Sequence, residues 1–110
     1  MKEIWGNLWD YRRKDHWIVV TTNGFVKKNG EAVMGRGTAR QCVDLFPEMP
    51  VRLGAHLKLN GNHVGVFVPQ LILTMPVKES WWTMAQIPLI TRSVGELMDV
   101  ATIINAKSIF

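Results

Sequence analysis

Val19-Val20-Thr21-Thr22-Asn23-Gly24, a polar interval at Lys27-Lys28-Asn29-Gly30, and then Val33-Met34-Gly35-Arg36-Gly37-Thr38-Ala39-Arg40 running into Cys42, Val43, Leu45 and Phe46 read as strand, loop, glycine turn and helix. A β-branched apolar run that stops at Asn-Gly predicts a buried strand ending at an exposed tip. The competing reading is a hairpin meander, because Asn23-Gly24 and Asn29-Gly30 are both hairpin-turn dipeptides. Against it, Ala39, Cys42, Val43 and Phe46 fall at i, i+3, i+4 and i+7, and Pro47 ends the run, which is helical spacing. Gly35 and Gly37 let backbone amides approach a ligand without a Cβ in the way. Those amides belong to a helix N-terminus, where unsatisfied N–H groups and the positive end of the helix dipole favour an anion. The expected ligand therefore carries phosphate.

Working outward, Lys2 to Trp5 reads as a short first strand, and Gly6-Asn7-Leu8-Trp9-Asp10 as a turn. Trp17 to Thr22 is nearly continuous in apolar character, the pattern of a central strand buried on both faces. Pro50 to Asn62 is ambiguous: Val51, Leu53, Leu57 and Leu59 fit a short helix imperfectly, and Gly54 weakens it. His63 to Val68 and Leu71 to Val77 read as neighbouring strands, the second closed by Pro76. Trp81 and Trp82 follow in a loop, where large aromatics beside a strand end more often seal a core than flank a ligand. Ile90, Val94, Leu97, Ala101 and Ile104 define a long helix within residues 87–105, with Pro88 in its first turn. Ala106 to Phe110 then reads as another buried strand.

The 110 residues, 47% of them apolar, suit one domain spanning residues 1–110. Thirteen Lys and Arg against nine Asp and Glu give a net charge of +4 and a sequence pI near 9.6, which favours an anionic partner. The single cysteine, Cys42, sits among apolar residues and reads as a packed thiol in a reducing compartment. No apolar run approaches the length of a membrane span and Met1 to Asp15 has no signal-peptide core, so a cytoplasmic protein is expected. His16, His56 and His63 lack metal-ligand spacing, and no metal or cofactor is expected. The glycine turn has neither the Gly-Lys-Ser/Thr ending of a nucleoside-triphosphate loop nor the third glycine of a dinucleotide fingerprint.

Gly6-Asn7-Leu8-Trp9, the strand ending Thr22-Asn23-Gly24, Val33-Met34-Gly35-Arg36-Gly37-Thr38-Ala39, and Val77-Lys78-Glu79-Ser80-Trp81-Trp82 before a long helix together resemble a macro domain, most nearly the short ones of bacteria and phages. The resemblance implies a three-layer α/β/α sandwich with a mixed central sheet that binds ADP-ribose or a related ADP-ribosyl ligand. It places Asn7 and Leu8 at the adenine, Asn23 at the distal ribose, and Gly35, Arg36, Gly37, Thr38 and Ala39 around the diphosphate and that ribose. Where the family has aspartate, Asn7 offers a neutral oxygen, roughly half as strong an acceptor.

The resemblance also implies that the last strand, the last helix and a second phosphate loop of the macro fold have no counterpart here. In members that hydrolyse ADP-ribosyl bonds, the catalytic lysine position falls near Met75. A binding module is thus expected ahead of an ADP-ribosyl hydrolase or ADP-ribose phosphatase. A degenerate macro-like assembly unit and a basic nucleic-acid-binding domain are the further alternatives. A homodimer is expected through the edge at Ala106 to Phe110 and the N-terminal strand.

Overall fold

The computed structural model describes residues 16–68 and 70–104, together with the backbone of 108 and 109. The expected first strand at Lys2 to Trp5 lies outside these residues. Within them the order is β1 (His16–Asn23), α1 (Gly37–Leu45), α2 (Met49–Asn60), β2 (Gly65–Phe67), β3 (Ile72–Lys78), α3 (Ile87–Ile103) and β4 (Ser108–Ile109). The strands form a mixed sheet in the order β2-β3-β1-β4. β1 runs parallel to both β3 and β4, and β2 runs antiparallel to β3. The strand read as central is central.

Side chains alternate across this sheet, and the alternation builds two cores. Ile18 and Val20 of β1, Ile72 of β3 and Phe67 of β2 pack with Cys42 of α1 and with Met49, Leu53 and Leu57 of α2. On the opposite face Trp17 and Leu73 meet Leu97 of α3, with Val19, Met75, Val100 and Ile104 packed around them. Two helices on one face and one on the other make three layers. Ile18, Leu53, Ile72 and Leu73 are each at most 1% exposed, and burying such a side chain contributes about 1.5–3 kcal/mol.

Two ambiguities of the sequence are resolved by tertiary contact. The 50–62 stretch is a helix of 12 residues with Pro50 in its first turn, and its weak spot, Gly54, is a point of close approach. A Cβ at Gly54 would stand 1.9 Å from the Gly30 carbonyl oxygen, and the same loop is tied to the helix by the Ala32 N–H on Pro50 O at 2.8 Å. Pro76 does not end its strand: β3 continues to Lys78. Pairing with β2 stops at Thr74, so among the described residues that edge of β3 is open beside Pro76 and its missing N–H breaks no ladder there. The Pro76 carbonyl accepts a buried hydrogen bond from the Ser93 hydroxyl at 2.6 Å, which fastens α3 to the strand tip.

Gly54→Ala would ordinarily gain about 1 kcal/mol of helix propensity. Here the new methyl must displace a backbone carbonyl, and we expect a net loss of about 2 kcal/mol or more in urea unfolding. A stabilised variant would mean that the 30–32 loop does not rest on α2.

Candidate ligand cavity at the strand tips

The carboxyl ends of β1 and β3 stop side by side, and a cavity of about 580 Å³ opens beyond them. Its wall takes Thr21, Thr22 and Asn23 from β1, Val33 to Arg36 from the glycine turn, Ala39 from α1, Val77 and Lys78 from β3, and Trp81, Trp82 and Ala85 from the loop after β3. In open α/β sheets this is where ligands sit, because the strand ends deliver loops and helix N-termini to one place.

Asn23 is 7% exposed and its amide is engaged at both ends. Its Oδ1 accepts the Phe25 N–H at 3.0 Å, and its Nδ2 donates to Val33 O at 3.2 Å. The side chain thus turns the chain sharply after β1 and ties the far end of the 24–33 loop to the strand tip, one N–H being left over. Gly35 has open space where a Cβ would go, as does Gly37, whose φ of +60° lies in the left-handed region that favours glycine. Arg36 is the N-cap of α1, with extended backbone. Among the described residues no side chain caps that first turn and no acidic residue lies in it, so its amides remain available to an anion.

The glycine turn and Asn23 therefore meet in one cavity. Arg36 and Ala39 line it directly, whereas Gly37 and Thr38 lie between them in sequence without lining it. Asn7 and Leu8 fall outside the described residues. Met75 packs toward α3, and three residues further on it is Lys78 that lines the cavity, its Nζ donating to Trp81 O at 3.1 Å. Two cations, Arg36 and Lys78, stand in the wall. Sequence spacing alone did not single out Lys78; the usable signal was a lysine at the carboxyl end of a strand parallel to β1.

The tryptophans depart from the expectation of a sealed core. Trp81 and Trp82 are 53% and 59% exposed, stacked edge to face at 5.4 Å, with Phe25 edge-on to Trp82 at 5.1 Å. They form an aromatic wall. Among the described residues no group of three His, Cys, Asp or Glu could hold a metal ion, and no helix is long and apolar enough to cross a membrane.

Behind the cavity, Glu96 of α3 clamps the turn that leads into β2. It accepts the Val64 N–H at 3.0 Å and the His63 ring at 2.7 Å, with Arg92 Nε 3.4 Å away. Partial burial pushes the Glu96 carboxyl up, but the Val64 and His63 hydrogen bonds and the nearby His63 and Arg92 charges outweigh it and hold the group below the usual carboxylate range.

No protein-family model matches the sequence, and no curated protein does. The fold, however, is that of macrodomains. The macrodomain of Mycobacterium tuberculosis DarG superposes with a TM-score of 0.73 at 26% identity, over 94% of this chain and 69% of that one. The macrodomain of Thermus aquaticus DarG matches with a TM-score of 0.71 at 22% identity, over 94% and 70%. Thermosipho africanus DarTG, solved in complex with ADP-ribose, matches with a TM-score of 0.73 at 18% identity, over 94% of this chain and 30% of its own. The expected macro-like α/β sandwich is borne out.

Because the folded-state pKa of Glu96 is depressed, its contribution to stability is fully present above the unfolded value of 4.5 and is lost as pH falls through the lower folded value. Glu96→Gln should therefore flatten the acid limb of a melting-temperature profile below about pH 5 and lower the neutral plateau. An acid limb identical to that of the wild type would remove Glu96 from the clamp.

Proposed function

We propose that the cavity binds ADP-ribose or a related ADP-ribosyl ligand. The observation that carries this reading is the uncapped N-terminus of α1, opening beside Gly35 into a cavity whose wall holds Arg36 and Lys78. The diphosphate lies on the amides of Gly35, Arg36, Gly37, Thr38 and Ala39, where backbone donors, the helix dipole and two side-chain cations act on the same anion. Asn23 gives its remaining amide proton to the distal ribose. Asn7 and Leu8 keep the adenine end assigned to them by the macro-domain resemblance. The reading is supported by a structural neighbour, Thermosipho africanus DarTG, that was solved with ADP-ribose.

Hydrolysis of an ADP-ribosyl bond is the second reading, favoured by one observation: Lys78 lines the cavity at the strand tip, with Asn23 opposite it in the β1–β3 register. A turnover assay on ADP-ribosylated substrates separates the two. Nucleic-acid binding gains the exposed Trp81 and Trp82, but their place in the wall of a concave cavity suits a small ligand better than a strand.

ADP-ribose at about a hundred times its dissociation constant should add about 2.7 kcal/mol and raise the melting temperature by several degrees. Gly35→Val, which puts a branched side chain into the open space beside the turn, should abolish the shift, and Asn23→Ala should weaken it while a cooperative melt is kept. No response of the wild type to millimolar ADP-ribose in calorimetry and thermal shift ends this reading.

β4 lies at the edge of the described sheet, paired with β1 on one side. An unblocked strand edge is satisfied by a second copy across a two-fold axis, and we propose a homodimer that uses the Ala106 to Phe110 edge and the N-terminal strand. Light scattering at micromolar concentration should return twice the mass of one chain; a single-chain mass rules the dimer out.

A further inference from the structure

The register of β1 on β3 is regular from Ile18↔Ile72 to Thr22↔Pro76 and then slips, so that Asn23 faces Lys78 and Val77 is passed over. Consecutive strand residues ordinarily point to opposite faces, and a bulge is the device that re-aims one of them. Val77 and Lys78 both line the cavity, as this slip permits. The cationic end of Lys78 is thus presented by an irregular piece of strand that needs to be held.

Its backbone is held from two sides. The Gly24 N–H donates to Lys78 O at 3.1 Å and to Glu79 O at 3.0 Å. From behind, Asn62 Nδ2 lies 3.3 Å from Lys78 O and 3.3 Å from Glu79 Oε2. Asn62 comes from the turn after α2, far from the cavity in sequence, and is itself anchored: its carbonyl accepts the Arg92 guanidinium of α3, and the next residue, His63, is bonded to Glu96. The fit against β1 is tight, since a Cβ on Gly24 would stand 2.7 Å from Asn62 Cγ. Among the described residues the buried Asn62 Oδ1 has no hydrogen-bond partner. A buried unsatisfied oxygen is costly, so the position keeps an amide for what its other end does, which is to hold the Lys78 and Glu79 strand tip.

We infer that Asn62 is a positioning residue of the cavity, buckling the tips of β1 and β3 together so that the Lys78 ammonium is fixed toward the ligand. The inference rests on the cavity being the ADP-ribosyl site, and it links that site to α3 through Arg92 and Glu96. Asn62 touches no ligand in this arrangement. Its effect passes through Lys78.

Two measurements on Asn62→Ala test it. In the apo protein, hydrogen exchange at the Gly24 amide should accelerate relative to Val20, whose amide lies in the middle of β1. In calorimetric titration with ADP-ribose, Asn62→Ala should lose roughly three- to tenfold in affinity, and the same change in a Lys78→Met background should cost nothing further. Gly24→Ala, which crowds Asn62 from the other side, should reproduce the affinity loss if Asn62→Ala folds poorly. Unchanged exchange at Gly24, or an equal affinity loss with and without Lys78, overturns the positioning role. A wild-type protein that ignores ADP-ribose ends the proposed ligand instead, and the exchange comparison then decides by itself whether Asn62 holds the strand tip.

Discussion

The parallel pairing of β1 with β3 is the constraint on which the rest of the molecule depends. These strands are separated in sequence by a loop, two helices and a short antiparallel strand, so their pairing closes a long stretch of chain before any contact repays the loss of freedom. The repayment is apolar. Ile18, Val20 and Ile72 are wholly buried on one face, against α1 and α2, and Leu73 on the other, against α3. Once the two strands lie in register, their carboxyl ends are forced together, and with them Asn23, the glycine turn and Lys78.

The polar groups near those ends are arranged for holding geometry more than for adding stability. Asn23 spends both ends of its amide on its own loop, Ser93 caps the Pro76 carbonyl, and Gly24 shares one N–H between two carbonyls. Each such bond is worth about 1 kcal/mol net, yet breaking one leaves a buried partner unsatisfied, which costs more. The first turn of α1 is the exception: among the described residues no side chain caps it, and Arg36 and Ala39 at its start line the cavity together with Lys78.

The aromatic wall shows how local pattern and final position can diverge. Two adjacent tryptophans after a strand resemble core-sealing residues, because most large aromatics are buried. Here the strand runs on to Lys78 and the loop then passes over the cavity instead of back across the sheet, so both rings stay half exposed, with Phe25 and each other as their ring neighbours among the described residues. Their exposure is a consequence of topology.

By itself the sequence determined that β1 is a buried central strand, that a helix follows the glycine turn, that two β segments neighbour each other after His63, and that a long helix follows residue 87. Those features are local: period-two and period-3.6 hydrophobicity, and glycine or proline where backbone geometry demands it. The glycine turn and Asn23 were legible for the same reason, as was the likeness to a macro domain. Only the tertiary structure decided the helix at Met49–Asn60, where Gly54 accommodates the Gly30 carbonyl, and the continuation of β3 through Pro76, where β2 has already let go. It also decided that Lys78, Trp81 and Trp82 face the cavity and that Asn62 lies behind it. These are contacts between residues distant in sequence, and periodicity carries no information about which distant segment will occupy the space beside a side chain.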